Sequence, residues 1–214
     1  MPGPVNRLLL AVVALLATGC SADVASSPPT PAPPASSSAA PARTPTPVRT
    51  SATHPRLRQE LLAMLAADQK DRQGTAQGGV GRDQARTERL QQIVQTYGWP
   101  TRTLVGDDGA SAAWAIAQHS DLDPVFQQQM LELMRTAAAA GEADPGELAY
   151  LTDRVAANAG QPQTYGTQMG CTEDGQPQPA PLAEPERVNE LRAEAGLPTL
   201  EEYLAEMAEV CADI

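Results

Sequence analysis

Asp123-Pro124-Val125-Phe126-Gln127-Gln128-Gln129-Met130-Leu131-Glu132-Leu133-Met134, and after it Asp144-Pro145-Gly146-Glu147-Leu148-Ala149-Tyr150-Leu151, decide the fold class of this chain. Both stretches place a short acid before a proline and then repeat apolar residues at the helical period. The carboxylate of an Asp at the N-cap accepts the first free N–H groups of a helix. A proline in the next position has no N–H to leave unpaired, and its φ is already helical. Phe126, Met130, Leu133 and Met134 then share one face of the first helix, and Leu148, Leu151 and Val155 one face of the second. Glu147, three residues after Asp144, predicts a capping box, and Gly160 predicts the end of the second helix.

Similar patterns extend in both directions. Upstream, Leu57, Leu61, Met64 and Leu65 recur at helical spacing and lead into Asp68 and Arg72, where the apolar face becomes polar. Asp71 to Gly81 reads as a Gly- and Gln-rich loop. Leu90, Ile93, Val94 and Tyr97 form a second stripe that Gly98 closes before the Trp99-Pro100 turn. A short third helix around Ser111 to Gln118 leads into Gln118-His119-Ser120-Asp121.

Downstream, Gln163, Tyr165, Thr167 and Met169 alternate with Thr164, Gly166, Gln168 and Gly170 as a strand would, and Asp174-Gly175 suits a hairpin turn. The return strand carries Pro177, Pro179 and Pro181, whose missing N–H groups all fall on one side. A helix from about Pro185, ended by Gly196, and another capped by Thr199 with Glu202 complete the chain. The expected fold is mainly α: a compact bundle of about six to seven helices with one small β-hairpin before the last two.

Residues 1–19 have the layout of an export signal: Arg7, then an uncharged run from Leu8 to Ala17, then small residues. That run is too short for a bilayer, which takes about 20 apolar residues. Leu16-Ala17-Thr18-Gly19-Cys20 resembles the lipobox of bacterial lipoproteins, which implies acylation of Cys20 and a chain anchored by lipid to the outer face of the cell membrane. An ordinary secretion signal and a short uncleaved anchor are the other readings. Residues 20–56 are Pro, Ala, Ser and Thr with few larger apolar groups, so they form a tether and not a core. At roughly 3.1 Å per residue in extended polyproline II, the tether reaches about 100 Å.

Residues 57–214 are long enough for one domain with its own core. Of the 15 basic residues, Arg7, Arg43, Arg49 and Arg56 precede Leu57, as does Asp23 alone of the 26 acids; the domain therefore holds 11 bases against 25 acids, a formal −14. So acidic a surface repels phosphate backbones, which excludes nucleic acid as a partner and leaves membrane attachment to the lipid. With Cys20 assigned to lipid, Cys171 and Cys211 remain, and in an exported domain they are expected to form a disulfide; two separately buried thiols are the alternative.

Several polar groups recur at predicted helix ends and in the hairpin: Asp68-Gln69 with Arg72, Gln118-His119-Ser120-Asp121, Asp153-Arg154, and Gln163 with Tyr165-Gly166-Thr167-Gln168. With Gly98-Trp99-Pro100 and Gly196-Leu197-Pro198, these motifs, in this order from Leu57 to Leu204, resemble a bacterial family known only as a domain of unknown function. The resemblance implies an architecture and a set of positions, but no reaction.

As chemistry, His119, Asp121 and Asp153 are the candidate catalytic groups, because a histidine beside a carboxylate can be oriented as a general base. Asp68, Arg72, Gln118, Arg154, Gln163, Tyr165 and Gln168 are the candidate binding groups. The same residues have structural uses, capping helices and satisfying backbone groups. His119, Asp121 and Asp123 offer metal donors, but no second His or Cys accompanies them, so neither a metal nor a cofactor is assigned. No nucleophile elbow, phosphate loop or dinucleotide fingerprint is present. The leading expectation is a binding or interaction module for a small-molecule or protein ligand. A hydrolase of the envelope using His119 with Asp121 or Asp153, and a purely structural domain, are the alternatives.

Overall fold

The computed structural model describes residues 52–74 and 80–212; the export signal, Cys20 and the tether through residue 51 lie outside the described residues. The chain is already pinned where it enters the domain. Thr53 and His54 donate their N–H groups to the carbonyls of Thr103 and Leu104 at 3.2 and 2.9 Å, and the His54 ring meets Tyr97 edge-on at 5.3 Å. The first helix begins at Pro55, slightly ahead of the expected boundary at Leu57.

The described residues form seven α-helices: α1 (Pro55–Gly74), α2 (Val80–Tyr97), α3 (Arg102–Gln118), α4 (Pro124–Ala139), α5 (Pro145–Asn158), α6 (Val188–Glu194) and α7 (Leu200–Ala212). A two-stranded antiparallel hairpin, β1 (Met169–Cys171) and β2 (Pro177–Pro179), precedes the last two, with a 3-10 turn at Pro185–Arg187 between. None of these helices is long and apolar enough to cross a membrane.

Both Asp-Pro starts cap as their chemistry requires. Asp123 Oδ1 accepts the Phe126 N–H at 3.0 Å, and Asp144 Oδ1 accepts those of Gly146 and Glu147 at 2.9 and 3.1 Å. The capping box expected from Glu147 does not close, because its side chain turns to Ser111. The box at α7 does form. Glu202 Oε2 accepts from the Thr199 N–H and hydroxyl, and Thr199 Oγ1 accepts the Glu202 N–H at 3.3 Å.

α3 packs against α1, α2, α4 and α5. Its alanines at 110, 112, 113, 115 and 117 are buried, and a Cβ on Gly109 would stand 3.3 Å from Arg58 Cγ of α1 and 2.9 Å from the Val105 Cβ of its own helix, so this position leaves little room for a side chain. α3 is longer than the short helix expected from Ser111. It starts at Arg102 under a Thr101 cap and breaks at Gly106, whose φ of +78° suits glycine. Leu61, Leu90, Ile93, Val105, Ile116, Phe126, Met130 and Leu151 converge on the core at 0–2% exposure. The loop expected from Asp71 to Gly81 is also shorter, because α1 runs on to Gly74 and α2 starts at Val80.

In the hairpin, Thr172 donates to Gln176 O and Ala180 to Gln168 O, so Pro177 and Pro179 occupy the positions whose nitrogens face away from β1. The strand expected over Gln163 to Gly170 shrinks to Met169–Cys171. Gln163 instead makes a single parallel bridge to Leu182, and the residues between form a loop. A disulfide joins Cys171 of β1 to Cys211 of α7.

Candidate functional site

The polar positions divide into three groups. The first lies where α1, α2 and the end of α3 meet. Asp68, one turn before Arg72 on α1, is fully buried; its Oδ2 receives His119 Nδ1 at 2.9 Å and Arg72 Nε at 3.1 Å, and its Oδ1 receives Arg72 Nη2 at 3.0 Å. Burial alone would raise the Asp68 carboxyl, but hydrogen bonds from His119 and Arg72 outweigh it and bring it down to about 2. Arg72 Nε also lies 3.1 Å from His119 Nδ1, so Asp68, Arg72 and His119 are in mutual contact. His119 Nε2 is buried and has no partner among the described residues.

Arg72 and Arg86 both reach Asp83 Oδ1, at 3.1 and 2.6 Å, and Arg86 Nη1 also reaches Asp71 at 2.8 Å. Thr87 adds a buried hydroxyl contact to Ser120 at 2.9 Å. The carboxylate beside His119 is thus Asp68, fifty-one positions away, and not Asp121 or Asp153.

The second group is centred on Asp121. Arg154 grips its carboxylate with Nε at 2.8 Å and with Nη2, while Nη1 reaches Gln168 Oε1 at 3.2 Å. Burial would raise the Asp121 carboxyl; the guanidinium overcomes that and lowers it. Asn158 and Gln127 also donate to Asp121 at 2.8 and 3.2 Å, and Gln127 Nε2 approaches the carbonyls of Ala117 and Gln118 that α3 leaves free at its end. This group fastens the α3–α4 corner to α5. Gln118 is fully buried, and neither of its amide atoms has a partner among the described residues.

In the third group Asp153 organises a loop. Its carboxylate takes the N–H groups of Thr164 at 2.7 Å, Tyr165 at 3.1 Å and Thr167 at 2.9 Å, together with the Thr167 hydroxyl at 3.0 Å. Burial pushes this carboxyl up, against the pull of those donors. Gln163 braces the same loop from inside: Nε2 donates to the carbonyls of Gln168 and Ala180, and Oε1 accepts the Gln168 N–H at 2.8 Å. Tyr165 enters this group through its backbone, since its carbonyl accepts from Arg192 at 2.7 Å.

Arg192, Asp83, Arg86 and Gln127 escape a reading by sequence. Arg192 is fully buried, bonds the Pro198 carbonyl at 2.6 Å and lies 5.0 Å from the centre of the Tyr203 ring. An arginine on an amphipathic helix gives no sign of such burial. Asp83 and Arg86 did carry a signal, a charge pair three residues apart just ahead of the second apolar stripe.

Between α1 and α2 lies an open groove of about 460 Å³. Met64, Ala67 and Ala85 give it an apolar floor, and Lys70, Arg82 and Arg89 a cationic rim. Arg86 and Asp71 form the wall nearest the first polar group. Among the described residues no three His, Cys, Asp or Glu side chains gather as metal ligands do.

A family described as one of unknown function, DUF6624, matches residues 55–212. No curated protein and no solved structure matches the chain.

Proposed function

The chain belongs to the DUF6624 family, and from that premise we propose that it is a lipid-anchored extracytoplasmic binding module whose ligand-facing surface is the groove between α1 and α2. The observation that carries this reading is the continuity between the groove and the buried polar group behind it. Arg86, on the groove wall, and Arg72, beside His119, share one oxygen of Asp83. Arg86 therefore ties the groove wall to the contacts that orient Asp68 and His119.

The remaining polar positions favour binding over catalysis. Asp153 is engaged by loop donors and Asp121 by Arg154, so neither stands free as an acid or base. A hydrolase reading has one observation on its side: His119 is oriented through Nδ1 by Asp68, with Nε2 left over. Yet Nε2 is closed off from solvent, and a general base must reach its substrate.

The anchor rests on the sequence around Cys20, and the tether would hold the domain off the outer face of the membrane. Labelled palmitate is expected to enter the wild-type chain and not Cys20→Ser; equal incorporation would refute the anchor. For the groove, a thermal-shift screen is expected to find compounds that raise the melting temperature of the wild type but not of Ala67→Trp, which fills the floor. Equal shifts in both proteins would refute binding there.

A further inference from the structure

We propose that the α1–α2 groove takes a free, single-chain amphipathic anion, an alkyl or acyl chain ending in a carboxylate or phosphate. The proposal rests on the binding-module reading and names the ligand class for that site. Four cations line the groove, Lys70, Arg82, Arg86 and Arg89, in a chain whose formal charge is −11; Arg89 is paired with Glu60 at 2.5 Å and Arg86 with Asp71 and Asp83.

Two of these cations are available to a ligand. Arg82 pairs with Asp71 at 3.1 Å, but its side chain is 66% exposed, and such a pair holds only weakly in water. Lys70 is exposed and has no carboxylate at ion-pairing distance among the described residues. Arg86 differs: it is one-tenth exposed and fixed by Asp71 and Asp83, which makes it a rigid wall.

The floor points to the other half of the ligand. Met64, Ala67 and Ala85 are apolar and mostly small, and methionine adapts its shape to what it covers. A small hydrophilic anion would leave this floor wet, and a neutral chain would leave the rim unanswered. An amphipathic anion satisfies both, its head on Lys70 and Arg82 and its chain along the floor. At about 460 Å³ the groove is the size of a small-molecule site. Its concave form suits a single molecule better than a flat bilayer.

The test is methyl NMR on the whole chain labelled at its methionine methyl groups. Octanoate and octyl phosphate are titrated as monomers, with octyl glucoside as the neutral control and phosphatidylglycerol vesicles as the bilayer arm. The Met64 methyl signal is expected to move saturably with both anions, about tenfold tighter than with octyl glucoside, and to lose about tenfold in affinity in Lys70→Ala/Arg82→Ala. Both replaced side chains are exposed, so an unchanged melting temperature verifies the variant's fold. Octyl glucoside binding as tightly as the anions would overturn the anionic class while leaving the binding module standing. A Met64 signal unmoved by every soluble probe, protein retained by vesicles alone, or affinity unchanged in the double variant would each overturn the proposal.

Discussion

Replacing Asp153 by Asn separates a framework role from a catalytic one. The side chain keeps its size, but an NH2 group replaces one carboxylate oxygen. In the wild type, Oδ2 accepts the Thr167 N–H at 2.9 Å and the Thr167 hydroxyl at 3.0 Å, while Oδ1 accepts the Thr164 N–H at 2.7 Å. With nitrogen at the Oδ2 position the Thr167 N–H faces another donor and its bond fails, while the Thr167 hydroxyl can turn to accept from the new NH2 group. A hydrogen bond to a charged group is worth about 1.5–3 kcal/mol, so the loss is at least about that much. That is a large share of the roughly 5–15 kcal/mol that stabilises an ordinary domain. Asp153→Ala should cost more, since it leaves three loop N–H groups without an acceptor. Equilibrium urea unfolding followed by circular dichroism, with the disulfide intact, measures the difference as a shift in midpoint at constant slope. An Asn variant within about 0.5 kcal/mol of wild type would refute the framework role, because a satisfied buried carboxylate cannot be exchanged so cheaply.

Three further outcomes follow from the same geometry. Asp68, held at about 2 against an ordinary 3.8, contributes stability that is present above pH 3.8 and lost as pH falls through about 2; the shift corresponds to about 2.5 kcal/mol, and acid titration of Asp68→Asn should lack that descent. Glu147 has the opposite sign: burial pushes it from 4.5 to about 7, so the folded chain binds the extra proton and stability should fall by up to about 3 kcal/mol as pH rises between those values, with Glu147→Gln showing no such slope. The Cys171–Cys211 bond closes a loop of sequence separation 40, and Cys171→Ser/Cys211→Ser should lower unfolding stability by about 4 kcal/mol in the chain-entropy model, measured in urea without reductant.

What could be read from the sequence was what short-range chemistry controls. The caps at Asp123, Asp144 and Thr199 and the apolar stripes of α1, α2, α4 and α7 depend on residues within a few positions of each other, and they place the helices and the hairpin. Long-range partners did not show. His119 sits two residues from Asp121, yet the fold brings it Asp68 from another helix, because α3 packs along α1. The alternation from Gln163 to Gly170 has strand character, but a buried carboxylate at Asp153 draws three of its N–H groups into a loop, and a ladder cannot compete for donors already taken. Glu147 has the spacing of a capping box but turns to Ser111 on the neighbouring helix. The groove left no trace in the sequence, since its cations come from two helices and its floor from residues that look like ordinary packing.

The most direct test of a ligand-binding groove set against a buried polar frame is backbone amide chemical-shift mapping of the chain with a mixed small-molecule fragment set. The shifts are expected to cluster on Met64, Ala67, Lys70, Ala85 and Arg86, and to vanish in Ala67→Trp. Shifts gathered on the Asp121, Asp153 and Gln168 side of the fold, with the α1–α2 groove silent, would contradict it.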